Sequence, residues 1–172
     1  VDTQDDRMEM EVIGWGPGEE CWGIEYRVMY GAPDTKELWS AVTDALEKKY
    51  QHADGYELPI AAVCIDTGGH FTQDVYKFCE GKQVRRWFGI KGMAGEDRPI
   101  AAAPMEKRTG RGRRKMQLFI VGTDQARGII LSRLKIEEPG PGYCHFPKGR
   151  GYDKKFFEQL GAVKRVTRYR KG

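Results

Sequence analysis

The stretch Pro59-Ile60-Ala61-Ala62-Val63-Cys64-Ile65-Asp66-Thr67-Gly68-Gly69-His70 decides the fold of this chain. A continuous apolar run, Ile60 to Ile65, is bounded by a proline on one side and a Gly-Gly pair on the other, and it ends on an aspartate. A short apolar run between turn signals reads as a strand buried on both faces of a sheet, as parallel strands flanked by helices are. A bare carboxylate at the end of such a strand is costly unless it is paired or metal-bound, which makes Asp66 the first candidate functional residue. Gly68 and Gly69 permit close approach of backbone to a ligand, although a tight turn explains them equally well. His70 either orients or shuttles protons beside Asp66, or is simply a helix-start or surface histidine.

Upstream, Arg7 to Gly16 alternates apolar and polar residues, and Cys21 to Tyr30 does so again after a Pro17-Gly18 turn. These are two hairpin-linked strands. Val1 to Gln4 reads as the end of an earlier strand, with Asp5-Asp6 as its turn. From Asp34 to about Gln51 the spacing of Leu38, Trp39, Val42, Ala45, Leu46 and Tyr50 marks an amphipathic helix with Asp34 as cap. Downstream, helical spacing resumes over Phe71 to Cys79, followed by a strand at Val84 to Ile90. Residues 91–115 lack hydrophobic periodicity and read as a long flexible loop. Met116 to Val121 is then a strand, and Thr123 to Leu134 a helix capped by Thr123 or Asp124. A Pro-Gly-Pro-Gly segment at 139–142 interrupts the chain, and Tyr152 to Leu160 forms a short helix with Asp153 in its first turn. Val163 to Tyr169 is a final extended, basic segment. Three strands leading into strand-helix-strand crossovers give an α/β fold, a mixed sheet flanked by helices in the ribonuclease H-like arrangement. Fold alone does not give function.

The 172 residues suit one domain, since single cores grow comfortably to about 150 to 200 residues. With 40% hydrophobic residues the chain is not disordered, and no apolar run approaches the roughly 18 residues of a membrane span. There is no basic-then-apolar leader, and the first residue is Val1, so the sequence reads as a domain excised from a longer chain. Cys21, Cys64, Cys79 and Cys144 contain no C-x-x-C pair; they are read as small buried hydrophobes in a reduced cytoplasm.

The net charge of +4 hides a division. Residues 1–50 carry 5 Lys and Arg against 12 Asp and Glu, a balance of −7, whereas residues 51–172 carry 24 against 13, a balance of +11. Lys107, Arg108, Arg111, Arg113, Arg114 and Lys115 place six cations in nine residues, and 164–171 places five in eight. Such density suits neutralisation of DNA phosphates, which gives affinity without sequence information, although a solvated loop would share it. No helix-turn-helix, zinc-finger or RNA-recognition signature is present, so target choice falls to a partner.

In the expected sheet the first and fourth strands lie side by side, and Asp2 and Asp66 then face one crevice. Asp5 and Asp6 compete with Asp2 on position alone. Asp153 either brings a third carboxylate to the same edge or serves as a favourable charge at a helix N-terminus. An oxygen-rich set of this kind selects Mg²⁺ or Mn²⁺, and two such ions about 3.5 to 4 Å apart can drive phosphodiester hydrolysis without a covalent nucleophile.

Val1-Asp-Thr-Gln-Asp-Asp-Arg7, Gly14-Trp-Gly-Pro-Gly-Glu-Glu20, Cys64-Ile-Asp-Thr-Gly-Gly-His70 with Thr72-Gln73 and Val75-Tyr76, Ile136 to Pro147, and Val166-Thr-Arg-Tyr-Arg-Lys171 together resemble a known family. It is the C-terminal nuclease domain of the terminase large subunit of tailed bacteriophages, of the lambda GpA type. The resemblance implies a ribonuclease H-like, metal-dependent endonuclease that cuts concatemeric viral DNA during packaging in the host cytoplasm. Carried onto this chain, its acidic ligands fall on Asp2, Asp66 and Asp153, with Glu158 and Asp124 as rivals for the third. It also implies a terminase small subunit for site recognition and a portal for docking. The family's ATPase motor is missing, since the chain has no G-x-x-x-x-G-K-[ST] loop and hence no ATP site. Two other readings remain: a Holliday-junction resolvase or transposase core, and a non-catalytic DNA-binding or docking module.

Overall fold

The computed structural model describes residues 1–108 and 115–162. Strands β1 (Asp2–Thr3), β2 (Arg7–Trp15) and β3 (Cys21–Tyr30) form an antiparallel meander. Alternation along β2 sends Met8 and Met10, both essentially inaccessible, to one face and Arg7, Glu9 and Glu11 to the other. The hairpin turns through Gly18, whose φ of +68° favours a residue without a Cβ. Helix α1 (Lys36–Leu46) follows, then a small hairpin of β4 (Lys49–Gln51) and β5 (Glu57–Pro59), then β6 (Val63–Asp66) and helix α2 (Thr72–Cys79). The chain continues through β7 (Trp87–Met93), β8 (Met105–Arg108), β9 (Lys115–Gly122), helix α3 (Thr123–Arg133), β10 (Cys144–His145) and helix α4 (Lys154–Gly161).

The strands make two four-stranded sheets, ordered β1-β2-β3-β10 and β6-β7-β9-β8, in which β6, β7 and β9 are parallel. The sheets join along β1 and β6. The Val1 nitrogen donates to the Cys64 carbonyl at 2.7 Å, and the Asp66 N–H donates to the Val1 carbonyl at 2.8 Å. That pattern is a parallel ladder, and it sets Val1 opposite Ile65 and Asp2 opposite Asp66. Helices α1 and α2 close one face of the joined sheet. Leu38, Val42, Ala45 and Leu46 of α1 and Val75, Phe78 and Cys79 of α2 pack on Met8, Met10, Val63, Ile65, Trp87, Met116 and Leu118 in one core. Each large aliphatic or aromatic side chain so buried contributes about 1.5 to 3 kcal/mol. The opposite face carries α4, whose Phe156 meets the ring of Tyr26 edge-on at 5.0 Å.

Several expectations are corrected. The run Ile60–Ile65 is not buried on both faces: the strand is Val63–Asp66, with Val63 and Ile65 buried, Cys64 exposed and Asp66 half-buried. The apolar run is continuous because Cys64 sits where a polar residue would complete the alternation. The helix from Asp34 stops at Leu46, because Lys49–Gln51 pairs with Glu57–Pro59 and the Tyr50 hydroxyl donates to Glu25 at 3.1 Å. Val84 is not in a strand; Gln83–Arg85 forms a single 3-10 turn before β7 begins at Trp87. The loop expected over 91–115 is partly a hairpin, because β7 runs on to Met93 and Met105–Arg108 pairs antiparallel with the start of β9. A charged edge strand needs no apolar alternation, which is why periodicity missed it. The parallel pairing of β10 with β3 was also unforeseen. The extended segment expected at 163–169 lies outside the described residues.

Candidate functional site

Asp2 and Asp66 meet at the seam between the sheets. Both point away from the α1/α2 core, since Val1 and Ile65, their neighbours on each strand, face it. Across β2, β1 and β6 the registers line up Glu9, Asp2 and Asp66 as a row of three carboxylates on one face. Glu9 was missed by sequence reasoning, yet the alternation of β2 carries the signal, because an acidic residue on its polar face falls opposite Asp2. Glu9 is engaged elsewhere: Arg7 Nε donates to it at 2.8 Å and the Tyr26 hydroxyl at 2.6 Å. Burial opposes its ionisation, but those two hydrogen bonds outweigh it and hold the carboxyl below its usual range.

The other two carboxylates accept hydrogen bonds from neutral donors, and the Val1 ammonium interacts electrostatically with both. Gln4 Nε2 donates to Asp2 Oδ2, and the Gly68 N–H donates to Asp66 Oδ1 at 3.2 Å. Among the described residues no lysine or arginine pairs with either. Adjacent carboxylates without a paired Lys or Arg repel one another, and a hard divalent ion is the donor-matched remedy. Mg²⁺ commonly takes one or two protein carboxylates and fills its remaining positions with water and phosphate oxygens, so this pair fits such an ion. Among the described residues, no group of three His, Cys, Asp or Glu side chains is gathered closely enough to hold an ion unaided.

The loop after Asp66 is shaped around its carboxylate. A Cβ built on Gly68 would stand 3.0 Å from Asp66 Oδ2. Thr72 Oγ1 ties the loop down by donating to the carbonyls of Thr67 at 2.8 Å and Gly69 at 3.0 Å. The loop delivers His70, exposed, against Asp5 of the turn after β1, with Nδ1 to Oδ1 at 3.0 Å. That hydrogen bond and the charge of Asp5 raise the imidazole pKa.

Asp153 is the N-cap of α4 and precedes its first turn: its Oδ1 accepts from the Phe156 N–H at 3.0 Å. Of its two readings, the helix N-terminal one is what this position shows: Asp153 caps α4 on the same sheet face as Tyr26. Of the rivals, Glu158 is exposed and paired with Lys154, while Asp124 Oδ2 accepts from the Gly95 N–H at 2.7 Å. Neither Thr123 nor Asp124 caps α3, whose N-cap is Gly122.

Lys107 lies on the edge strand β8. Arg108 and Lys115 are the last residue of β8 and the first of β9, while Arg111, Arg113 and Arg114 lie outside the described residues. The cysteines divide: Cys21 and Cys79 are buried, but Cys64 is exposed and Cys144 half-buried, which corrects the expectation of four buried thiols. Burial and the neighbouring Cys144 thiol push Cys21 up to about 11. No helix among the described residues is long and apolar enough to cross a membrane.

Residues 1–172 match the family described as terminase large subunit gpA, endonuclease domain. The chain is 34% identical over 174 residues to the terminase large subunit of Escherichia phage lambda, covering 98% of this chain and 26% of that protein. It is 34% identical over 182 residues to the terminase large subunit of Enterobacteria phage P21, covering 100% of this chain and 27% of that protein. The chain thus spans about a quarter of the length of these relatives. No solved structure matches it.

Proposed function

The chain belongs to the terminase large subunit gpA endonuclease-domain family, and from that premise we propose that it hydrolyses phosphodiester bonds of duplex DNA with Asp2 and Asp66 holding Mg²⁺ or Mn²⁺. The observation that carries this reading is the register that makes the two carboxylates lateral neighbours on the open face. Their strands belong to a sheet order, β3-β2-β1-β6-β7, that we read as ribonuclease H-like. A divalent ion bound there supplies charge neutralisation at the phosphate and acidifies water for attack. A second ion, with Asp153 contributing, belongs to the same proposal.

The rest is done by the chain itself. Gln4 and the Gly68 N–H fix the rotamers of the two carboxylates, so that little reorganisation accompanies substrate binding. The bare Gly68 leaves room beside Asp66 for a phosphate. Lys107, Arg108, Arg111, Arg113, Arg114 and Lys115 neutralise backbone phosphates and hold the duplex without reading its sequence. Cutting needs no ATP at this domain. In the packaging reaction the substrate is concatemeric viral DNA in the host cytoplasm, with the small subunit choosing the site and the portal receiving the complex.

The test is cleavage of supercoiled plasmid by the chain with Mn²⁺, Mg²⁺ or EDTA, beside Asp66→Asn and without ATP. Metal-dependent nicking or linearisation, lost in the variant, is expected. Intact plasmid over a range of protein concentrations overturns the reading and leaves a DNA-binding module.

A further inference from the structure

Asp2 and Asp66 are each followed by a short run of chain, and the two runs converge. β1 passes from Asp2 into the turn bearing Asp5, and β6 passes from Asp66 through Gly68-Gly69 to His70. Their ends touch, Asp5 Oδ1 to His70 Nδ1 at 3.0 Å. A contact built from the continuations of both carboxylate-bearing strands stands at the rim of the site. Nothing in the packing demands it, since the side chains are 82% and 73% exposed for His70 and Asp5. Isolated surface pairs of this kind contribute little to stability.

What the contact does is chemical. An imidazole whose Nδ1–H donates to a carboxylate is fixed in one tautomer, and its Nε2 lone pair is left free. We infer that His70 is a catalytic proton acceptor for the hydrolysis and that Asp5 is the positioning residue that sets its tautomer and orientation; this rests on the nuclease reading above. His70 Nε2 takes the proton of the water whose oxygen bonds to phosphorus. The bridging ester oxygen leaves on the opposite side of phosphorus with the electron pair of its bond and takes a proton from solvent water, and the imidazolium returns its proton to solvent. No further reactant is needed. Among the described residues, Asp5 is the charged group that faces His70. Asp6 on the same turn pairs with Arg7 at 2.8 Å, and Asp74 on α2 pairs with Lys77 at 3.7 Å.

The acceptor works unprotonated, so the rate falls as pH drops through the imidazole pKa, which Asp5 holds up. Plasmid cleavage with Mn²⁺ is measured from about pH 5.5 to 9 for the unsubstituted chain, Asp5→Asn, Asp5→Glu and His70→Gln, with the His70 ring titrated by NMR in metal-free protein. His70→Gln loses about 100-fold or more in rate, the low end of what general acid–base catalysis contributes, with plasmid binding unchanged. Asp5→Asn moves both the acid limb and the NMR titration to lower pH, and Asp5→Glu restores them. An unchanged rate in His70→Gln, or an acid limb unmoved in Asp5→Asn while the NMR titration moves, overturns the inference and leaves the nuclease reading standing. Absence of cleavage by the unsubstituted chain removes that reading, and the inference with it.

Discussion

At the scale of single residues, Gly68 is the position where the least chemistry decides the most. Its backbone is not in the left-handed region, so alanine meets no conformational strain there. The added methyl would stand 3.0 Å from Asp66 Oδ2, inside ordinary contact, and the yielding partner is a carboxylate that can rotate. The cost to folding is therefore within about 1 kcal/mol, while the carboxylate shifts by a few tenths of an ångström. Misplacement on that scale is expensive in a preorganised site, and Gly68→Ala is expected to cut plasmid cleavage about 10-fold or more. Cleavage and thermal melting are measured on the same preparation. Unchanged cleavage would mean that the carboxylate is not held in place by this loop. Asp66 itself was legible in the sequence because a charge closing an apolar run must be accounted for. Glu9 was not singled out and Asp5 stood only as a rival of Asp2, because their significance depends on which strand lies beside which.

Among the elements, α4 asks the sharpest question, since Asp153 both caps the helix and is the third carboxylate that the family resemblance implies. Substitution separates the roles. Asparagine caps about as well as aspartate, whereas alanine costs about 1 kcal/mol. Asp153→Asn is expected to melt with the unsubstituted chain and Asp153→Ala a few degrees below it, by circular dichroism. If the carboxylate takes part in metal binding, Asp153→Asn nonetheless loses Mn²⁺ affinity by calorimetry and loses cleavage. Retention of both assigns Asp153 to capping alone. The element boundaries show where sequence legibility ends. Alternation and helical spacing located β2, β3, α1, α2 and β9, because each presents a periodic face to a neighbour. They missed β4, β5, β8 and β10, which are two to four residues long and are specified by backbone pairing with a partner elsewhere in the chain. Spacing also overstated α3, whose Ile129, Ile130 and Leu131 stay 37% to 44% exposed even though the helix forms.

For the whole molecule, the two four-stranded sheets could behave as separate units or as one, and the packing favours one. The first sheet contributes Met8 and Met10 to the core, the second contributes Val63, Ile65, Trp87, Met116 and Leu118, and α1 and α2 cover both. Ile65 lies on the seam itself, fully buried and opposite Val1. Truncating it to alanine removes packing that both sheets share, at a cost of about 2 to 5 kcal/mol. For a chain of this size each kcal/mol is worth about 2 to 4 °C, so Ile65→Ala is expected to melt roughly 5 to 15 °C below the unsubstituted chain. The shape of the transition is the stronger test. A shared core predicts one transition with coincident far-UV and near-UV signals, before and after the substitution. Two separable units predict that the second sheet melts first and leaves the meander folded. The site depends on the answer, because Asp2 hangs from one sheet and Asp66 from the other. With a single cooperative core the carboxylate pair persists up to global unfolding, and cleavage measured against temperature should fail along the same curve as the circular dichroism. Failure well below that curve would mean that the β1–β6 seam opens on its own, and with it the site.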